Sequence, residues 1–192
     1  DPTGGRVLLG GVDPREASLH DLRRRVGMVT QDVQLFRTTV RNNLTFFDTT
    51  IKDERLMSVL ADLGLSNWLD SLPNGLDTML ESGAGGLSAG QAQLLAFTRI
   101  FLKNPGLVIL DEASSRLDPA TEAMIESAVA AVITDRTAFV IAHHLGTVAR
   151  ADDIMIIENG TVIEFGERTA LQADPTSRFS RLLASGMEEV LA

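Results

Sequence analysis

Short apolar runs alternate along this chain with longer stretches that have helical periodicity. Leu107 to Leu110 is an unbroken apolar run that follows Pro105-Gly106 and is too short for a helix. It predicts a strand buried on both faces of a parallel sheet. Residues 26–30 predict a second short strand, and residues 137–142 predict another buried one. We therefore expect an α/β fold with a parallel sheet at its centre.

The residues between the predicted strands at 26–30 and 107–110 have helical periodicity. Leu56, Val59 and Leu63 keep i, i+3, i+7 spacing, which predicts an amphipathic helix. A short helix is expected to follow it, and a long one to run from the Leu87–Gln91 segment to about residue 103. We interpret residues 45–104 as an α-helical subdomain inserted between an N-terminal part of the core, 1–44, and the rest of the core, 105–192.

Capping and turn residues predict the remaining elements. Asp118-Pro119 is typical of a helix start, because a capping side chain precedes proline at the first helical position. Asn159-Gly160 predicts a tight hairpin turn, since both residues tolerate positive φ. Three further features are expected from similar signals: a strand over 6–9, a short basic helix after Ser18, and two short helices near 168–173 and 177–183.

Composition narrows the function classes. The 192 residues carry a formal net charge of −9, which argues against non-specific nucleic-acid binding. There is no cysteine, so disulfides and thiolate chemistry are excluded. No apolar stretch approaches the length of a membrane span, and no signal peptide opens the sequence. Since the first residue is Asp1, inside what resembles a domain, we interpret the chain as an N-terminally truncated fragment.

Candidate chemistry begins where the central strand is expected to end. Asp111 and Glu112 place two carboxylates at that point, and ligands of open α/β sheets bind at such strand ends. An aspartate there can hold Mg²⁺, while an adjacent glutamate can orient or deprotonate an attacking water. An acidic turn after a strand would carry the same dipeptide, so the pair indicates a functional site only together with the other motifs of the chain.

The Leu87–Gln91 segment is a glycine-containing turn that opens a helix. Such a helix end presents unpaired backbone N–H groups and the positive pole of the helix dipole, and Ser88 adds a hydroxyl donor. The arrangement suits a phosphate, and it equally suits a serine-capped helix with no ligand. Gln31 and His143 each follow a predicted strand and would be unremarkable alone.

Taken in order, these segments resemble the nucleotide-binding domain of exporter-type ABC transporters. L-S-A-G-Q (87–91) resembles the family signature, L-V-I-L-D-E (107–112) its Walker B strand, and S-S-R-L-D (114–118) its D-loop. V-I-A-H-H-L (140–145) resembles the switch-histidine segment, and V-T-Q (29–31) resembles the Q-loop. The resemblance covers essentially the whole chain and implies a RecA-like, P-loop NTPase-like parallel sheet with the inserted helical subdomain.

The resemblance also implies a role for each matching residue. Asp111 would act on Mg²⁺ together with Gln31, which would also sense the nucleotide and face the transmembrane coupling helix. Glu112 would polarise the hydrolytic water, and His143 would contact the γ-phosphate. The other matching residues would bind ATP held by the opposite subunit or lie on the dimer seam; they are Ser88, Gly90, Gln91 and Asp118.

The implied protein is an ATPase that uses ATP and Mg²⁺ and pairs with a second nucleotide-binding domain, as a homodimer or a heterodimer. It would drive a transmembrane domain at the cytoplasmic face of the plasma membrane, without nucleic acid. Three departures from the family pattern stand out. Ala89 replaces the usual glycine, Glu81 and Ser82 are the nearest candidates for a glutamate before the signature, and the phosphate loop G-x-x-x-x-G-K-[ST] is absent.

Two alternatives remain at this point. The chain could be a partner subunit that has no complete site and donates only its signature helix to another subunit's ATP. It could also belong to the soluble DNA-associated ATPases with related signatures, although these carry coiled coils and basic surfaces that the sequence lacks. Asp111, Glu112 and His143 favour the catalytic interpretation, because a pure donor needs none of them.

Overall fold

A computed structural model describes residues 5–30, 33–81, 87–111, 119–142 and 148–185. The chain divides into two compact units. One comprises the residues up to 111 together with 115–139, and the other comprises 112–114 together with 140–192. Within the described ranges, no helix is both long enough and apolar enough to cross a bilayer.

The central sheet has three strands in the order β1-β2-β3: β1 (Val26–Val29), β2 (Leu107–Asp111) and β3 (Thr137–Ile141). β1 and β2 are parallel, with Val29 beside Leu110, so the predicted α/β class with a parallel sheet is confirmed. One face of β1 and β2 is fully buried. On that face Gly27 lies close to α5 (Ala89–Lys103) and to the residues that follow it, so that an added Cβ would come within 2.7 Å of Pro105 Cγ.

The other face of the sheet is more open than the sequence predicts. Met28 and Phe139 are each 58% exposed and, with Leu107 and Ile109, line a groove of about 1490 Å³. The expectation that β2 is buried on both faces is therefore wrong for one face, and β3, which was expected to be buried, has no fully buried residue on either face. On the buried side, α5 packs against both β1 and α6 (Pro119–Ile133).

The region between β1 and β2 is helical, as predicted. It contains α2 (Val40–Thr45), α3 (Asp53–Asp62), α4 (Ser66–Asp70) and a 3₁₀ turn at Gly75–Asp77 before α5. The amphipathic face of α3 is buried through Leu56, Val59 and Leu60, which confirms the spacing argument. Upstream, Ser18 caps the short basic helix α1 (Leu19–Arg25), while residues 6–9 form no strand and contribute only a bridge between Leu9 and Val12.

The second unit is built on a hairpin. Its strands β4 (Asp153–Glu158) and β5 (Thr161–Glu167) are antiparallel, and the turn residues Asn159 and Gly160 have φ values of 50° and 76°. The positive φ at both positions confirms the turn that the dipeptide predicts. Two helices follow as expected, α7 (Arg168–Ala173) and α8 (Arg178–Ser185), and a small core forms around Val148 and Phe179.

Candidate functional site

The central strand delivers one of the predicted acids to the edge of the sheet. Asp111 is the last residue of β2 and is half-buried. Because Val29 lies beside Leu110 in a parallel ladder, the segment that follows β1 leaves the sheet at the same edge as Asp111. In the sequence, Gln31 stands two positions after Val29, and Asp111 stands one position after Leu110. Both positions therefore follow a paired residue at the same end of two neighbouring strands.

The donor chemistry of Asp111 fits a magnesium ion bound together with a nucleotide. Its carboxylate forms no ion pair with any residue that the structure describes. No group of three or more metal-ligating side chains occurs within the described ranges either. Mg²⁺ in nucleotide sites is typically held by one or two protein oxygens plus phosphates and water, so a single carboxylate at this edge is the donor set expected.

The signature segment forms a complete capping box at the start of α5. Ser88 Oγ accepts a hydrogen bond from the Gln91 backbone N–H at 3.1 Å, and Gln91 Oε1 accepts one from the Ser88 N–H at 3.0 Å. Ser88 is exposed, whereas Gly90, in the first turn, is buried. Since the cap uses the serine oxygen only as an acceptor, the hydroxyl proton remains available to a ligand.

The two lysines of the chain lie away from this edge. Lys103, in the last turn of α5, donates from Nζ to the Val26 carbonyl oxygen at 2.8 Å, and burial lowers its pKa. Val26 is the first residue of β1, so this amine lies at the opposite end of the strand from the candidate site. Lys52 precedes the first residue of α3. Neither lysine is placed as a phosphate ligand at the Asp111 edge.

Four of the predicted site residues lie outside the described residues: Gln31, Glu112, Asp118 and His143. Their assignments stay predictions from the sequence. Of the other four, Ser88, Gly90 and Gln91 lie together at the start of α5, and Asp111 ends β2. The large groove on the sheet face is not lined by Asp111 or by Ser88, so we do not place the chemistry in it.

Comparison with known proteins decides the family. The model of the family described as ABC transporter matches residues 1–115, which include the signature segment and the β2 strand. The chain belongs to the ABC transporter family. This confirms the resemblance drawn from the motifs.

Several ABC proteins from bacteria and plants are similar over nearly the whole chain. A putative multidrug export ATP-binding/permease protein, YgaD, from Bacillus subtilis is 40% identical over 95% of the chain and 31% of its own length. An ATP-dependent lipid A-core flippase from Chromohalobacter salexigens is 41% identical over 90% of the chain and 30% of its length. ABC transporter B family member 21 from Arabidopsis thaliana is 36% identical over 95% of the chain and 14% of its length. The chain thus spans less than a third of these ABC relatives.

One feature of this ABC domain was missed by the sequence argument. Arg99 lies in the middle of α5, between two buried residues, and donates hydrogen bonds to backbone carbonyls of the segment that follows β1. The only sequence signal was a cation inside an otherwise apolar stretch, L-L-A-F-T-R-I-F, which indicates a buried and satisfied charge.

Proposed function

We propose that this chain is part of the ATP-binding and ATP-hydrolysing domain of an ABC exporter. In this proposal two such domains, identical or not, close on ATP and couple its hydrolysis to a transmembrane domain at the cytoplasmic face of the plasma membrane. The observation that carries it is Asp111 at the end of β2, beside the end of β1 and directly before Glu112. The names of two relatives, an export protein and a flippase, support the exporter type.

Each residue has a defined part in the proposed reaction. Asp111, helped by Gln31, holds the ion, and bound Mg²⁺ supplies neutralisation of phosphate charge. Glu112 orients the attacking water and accepts its proton, while His143 donates a hydrogen bond to the γ-phosphate. Positioning and charge stabilisation supply most of the rate in this chemistry.

The start of α5 serves the ATP of the opposite domain. Gly90 supplies a backbone N–H group at the positive pole of the helix, and Ser88 adds its hydroxyl proton. Gln91, whose own N–H bonds to Ser88 Oγ, holds that hydroxyl in place. Asp118 lies on the seam between the two domains. The exposure of Ser88, with its donor unused by the cap, supports this assignment.

The test is Glu112→Gln in the full-length protein that contains this chain. We expect ATP turnover to fall by about 10²-fold or more, the range lost when a general base is removed, while ATP binding is retained. Glu122→Gln is the matched control, because Glu122 is an exposed glutamate in the first turn of α6. Turnover in Glu112→Gln within twofold of the control would contradict the catalytic role.

We further propose that the 192 residues alone neither bind ATP tightly nor hydrolyse it. The sequence contains no phosphate loop, which would contribute several charge-assisted hydrogen bonds of about 1.5–3 kcal/mol each. Losing three of them corresponds to a loss of affinity of roughly a thousandfold or more. Glu112-dependent ATPase activity of the purified 192-residue chain would contradict this. The open sheet face at Met28 and Phe139 also predicts poor solubility of the isolated chain.

The second candidate function is a subunit that only donates its signature helix. The complete capping box at Ser88 is the observation that favours it. The two functions differ in the result that they predict for Glu112→Gln, measured in the full-length protein and its partner. A donor loses activity with Ser88→Asp and keeps it with Glu112→Gln, whereas a catalytic domain loses activity with both substitutions.

A further inference from the structure

A half-buried arginine connects the helix of the signature segment to the loop that follows β1. Arg99 Nε donates to the Asn43 carbonyl oxygen at 2.9 Å, and Nη2 donates to the Gln34 carbonyl oxygen at 3.0 Å. Its guanidinium also lies 4.8 Å from the centre of the Phe46 ring. No carboxylate pairs with Arg99 in the part of the chain that the structure describes, and burial lowers its pKa. The charge is therefore satisfied by two backbone carbonyls, with the Asn43 side-chain oxygen 3.5 Å away and the Phe46 ring beside it, and these contacts fix the positions of the carbonyls.

Asn43 extends the same network to the next residues of the loop. Its side chain is fully buried, accepts a hydrogen bond from the Phe36 N–H at 2.8 Å and donates one to the Phe36 carbonyl at 2.9 Å. The carboxamide thus holds both backbone groups of one loop residue, as a neighbouring strand would. The Phe36 and Phe46 rings are packed edge to face, 6.1 Å apart, over the same region.

The loop is irregular, and the Arg99 and Asn43 bonds act beside the buried Leu35 side chain and the bond from the Leu80 N–H to the Thr38 carbonyl. Residues 33–38 form no helix or strand, so their position depends on bonds to their neighbours. The loop begins two residues after Gln31, and the helix that carries Arg99 begins beside Ser88. The network therefore connects the loop that follows Gln31 to the helix that the signature segment opens.

We propose that Arg99 is a positioning residue for ATP hydrolysis. By tying the loop after Gln31 to α5, it makes the glutamine segment and the signature segment move as one body. This inference rests on the proposed function, because it requires that both segments meet nucleotide. Arg99 itself touches no reacting atom in this proposal and acts through the Gln34 carbonyl and through Asn43.

The perturbation is Arg99→Lys, which keeps the charge. A lysine ammonium lacks the planar fork, so it cannot serve the two carbonyls in this geometry while lying on the Phe46 ring. Arg136→Lys is a matched control. Arg136 donates to the Val132 carbonyl at 2.6 Å and to Asn104 Oδ1 at 2.8 Å, and lies 5.9 Å from the Phe101 ring centre, so it makes the same kinds of contact at the C-terminal end of α5.

The experiment measures two properties of the full-length protein, amide hydrogen exchange of residues 33–40 and the kinetics of ATP hydrolysis. In Arg99→Lys we expect exchange at Phe36 to be about fivefold faster or more, the effect of losing one such bond. We expect kcat to fall by about tenfold or more, because small displacements of positioned groups have large effects on rate. KM for ATP should change less than twofold, and Arg136→Lys should show neither the exchange effect nor the fall in kcat.

A purely structural role for Arg99 would lower the folded fraction of Arg99→Lys and leave its kcat per folded molecule unchanged. That result, or unchanged exchange at Phe36 in Arg99→Lys, would overturn the proposal. If Arg99→Lys does not fold, Phe46→Leu removes the ring beneath the guanidinium and should change exchange and kcat in the same direction by less. An unchanged kcat in that variant would then overturn the proposal. If the wild-type protein has no ATPase activity, the proposed function and this inference both fail. If the wild type hydrolyses ATP but Arg99→Lys behaves like the control, only this inference fails.

Discussion

Ser88 has two uses that substitution can separate, and this gives the sharpest prediction. Its oxygen accepts the Gln91 N–H and completes the cap of α5, while its proton is free for a phosphate. Ser88→Ala removes the cap and the donor. Ser88→Asp keeps the cap, because aspartate is as good a capping residue as serine, but it removes the donor and adds a negative charge where phosphate should bind.

The capping loss has a size that can be measured locally. Replacing a capping serine by alanine costs about 1 kcal/mol, which makes the first turn of α5 open about fivefold more often. Ser88→Asp should leave that opening unchanged. A hydrogen bond from the hydroxyl to a charged phosphate contributes about 1.5–3 kcal/mol, so losing it lowers the affinity for the closed, ATP-bound state by about tenfold or more.

The assay combines amide exchange of residues 89–92 with ATP turnover of the full-length protein. Both Ser88 variants should lose turnover, with Ser88→Asp losing at least as much as Ser88→Ala, while only Ser88→Ala should speed exchange. Ser18→Ala is the control, since Ser18 caps α1 in the same way, with a 3.1 Å bond from the Asp21 N–H. It should speed exchange in α1 and leave turnover unchanged. Wild-type turnover in Ser88→Asp would refute the role of the hydroxyl.

Two further predictions concern stability. Gly27→Ala should lower the free energy of unfolding by about 1–3 kcal/mol, because the added Cβ would overlap Pro105. In Gly106→Ala the added Cβ would have no atom within 4 Å, so this variant should lose less stability. Denaturant titration of each variant measures the difference. The Glu164 carboxylate accepts the Phe179 N–H at 2.8 Å at the start of α8, which lowers its pKa. Its stabilising effect is thus present above the usual glutamate pKa and lost as pH falls through its lowered pKa. The protection of the α8 amides, measured as exchange relative to the intrinsic rate at each pH, should therefore fall in acid in the wild type and fall less in Glu164→Gln.

Much of the fold was predictable because local chemistry and periodicity agree. The capping serine with Gln91 marks the start of α5, the spacing of apolar residues identifies α3, and Asn159-Gly160 specifies the hairpin. Each of these signals acts between residues a few positions apart, so no tertiary partner is needed to read it. The family assignment rests on the same kind of local information, because the order of the motifs can be read from the sequence without a structure.

The burial of the strands could not be predicted in the same way. Leu107 to Leu110 is equally apolar on both faces, so the sequence predicts burial on both, yet in this structure only the face toward α5 is fully buried. Which face is covered depends on the layers that pack there, and those come from distant parts of a chain.

The sequence alone determined the class of the domain, the order of its motifs and the residue types available for phosphate chemistry. Only the tertiary structure decided that Arg99 and Asn43 hold the loop after β1. The physical reason is directionality. A hydrogen bond to a carbonyl 65 positions away exists only when folding brings donor and acceptor within about 3 Å and aligns them.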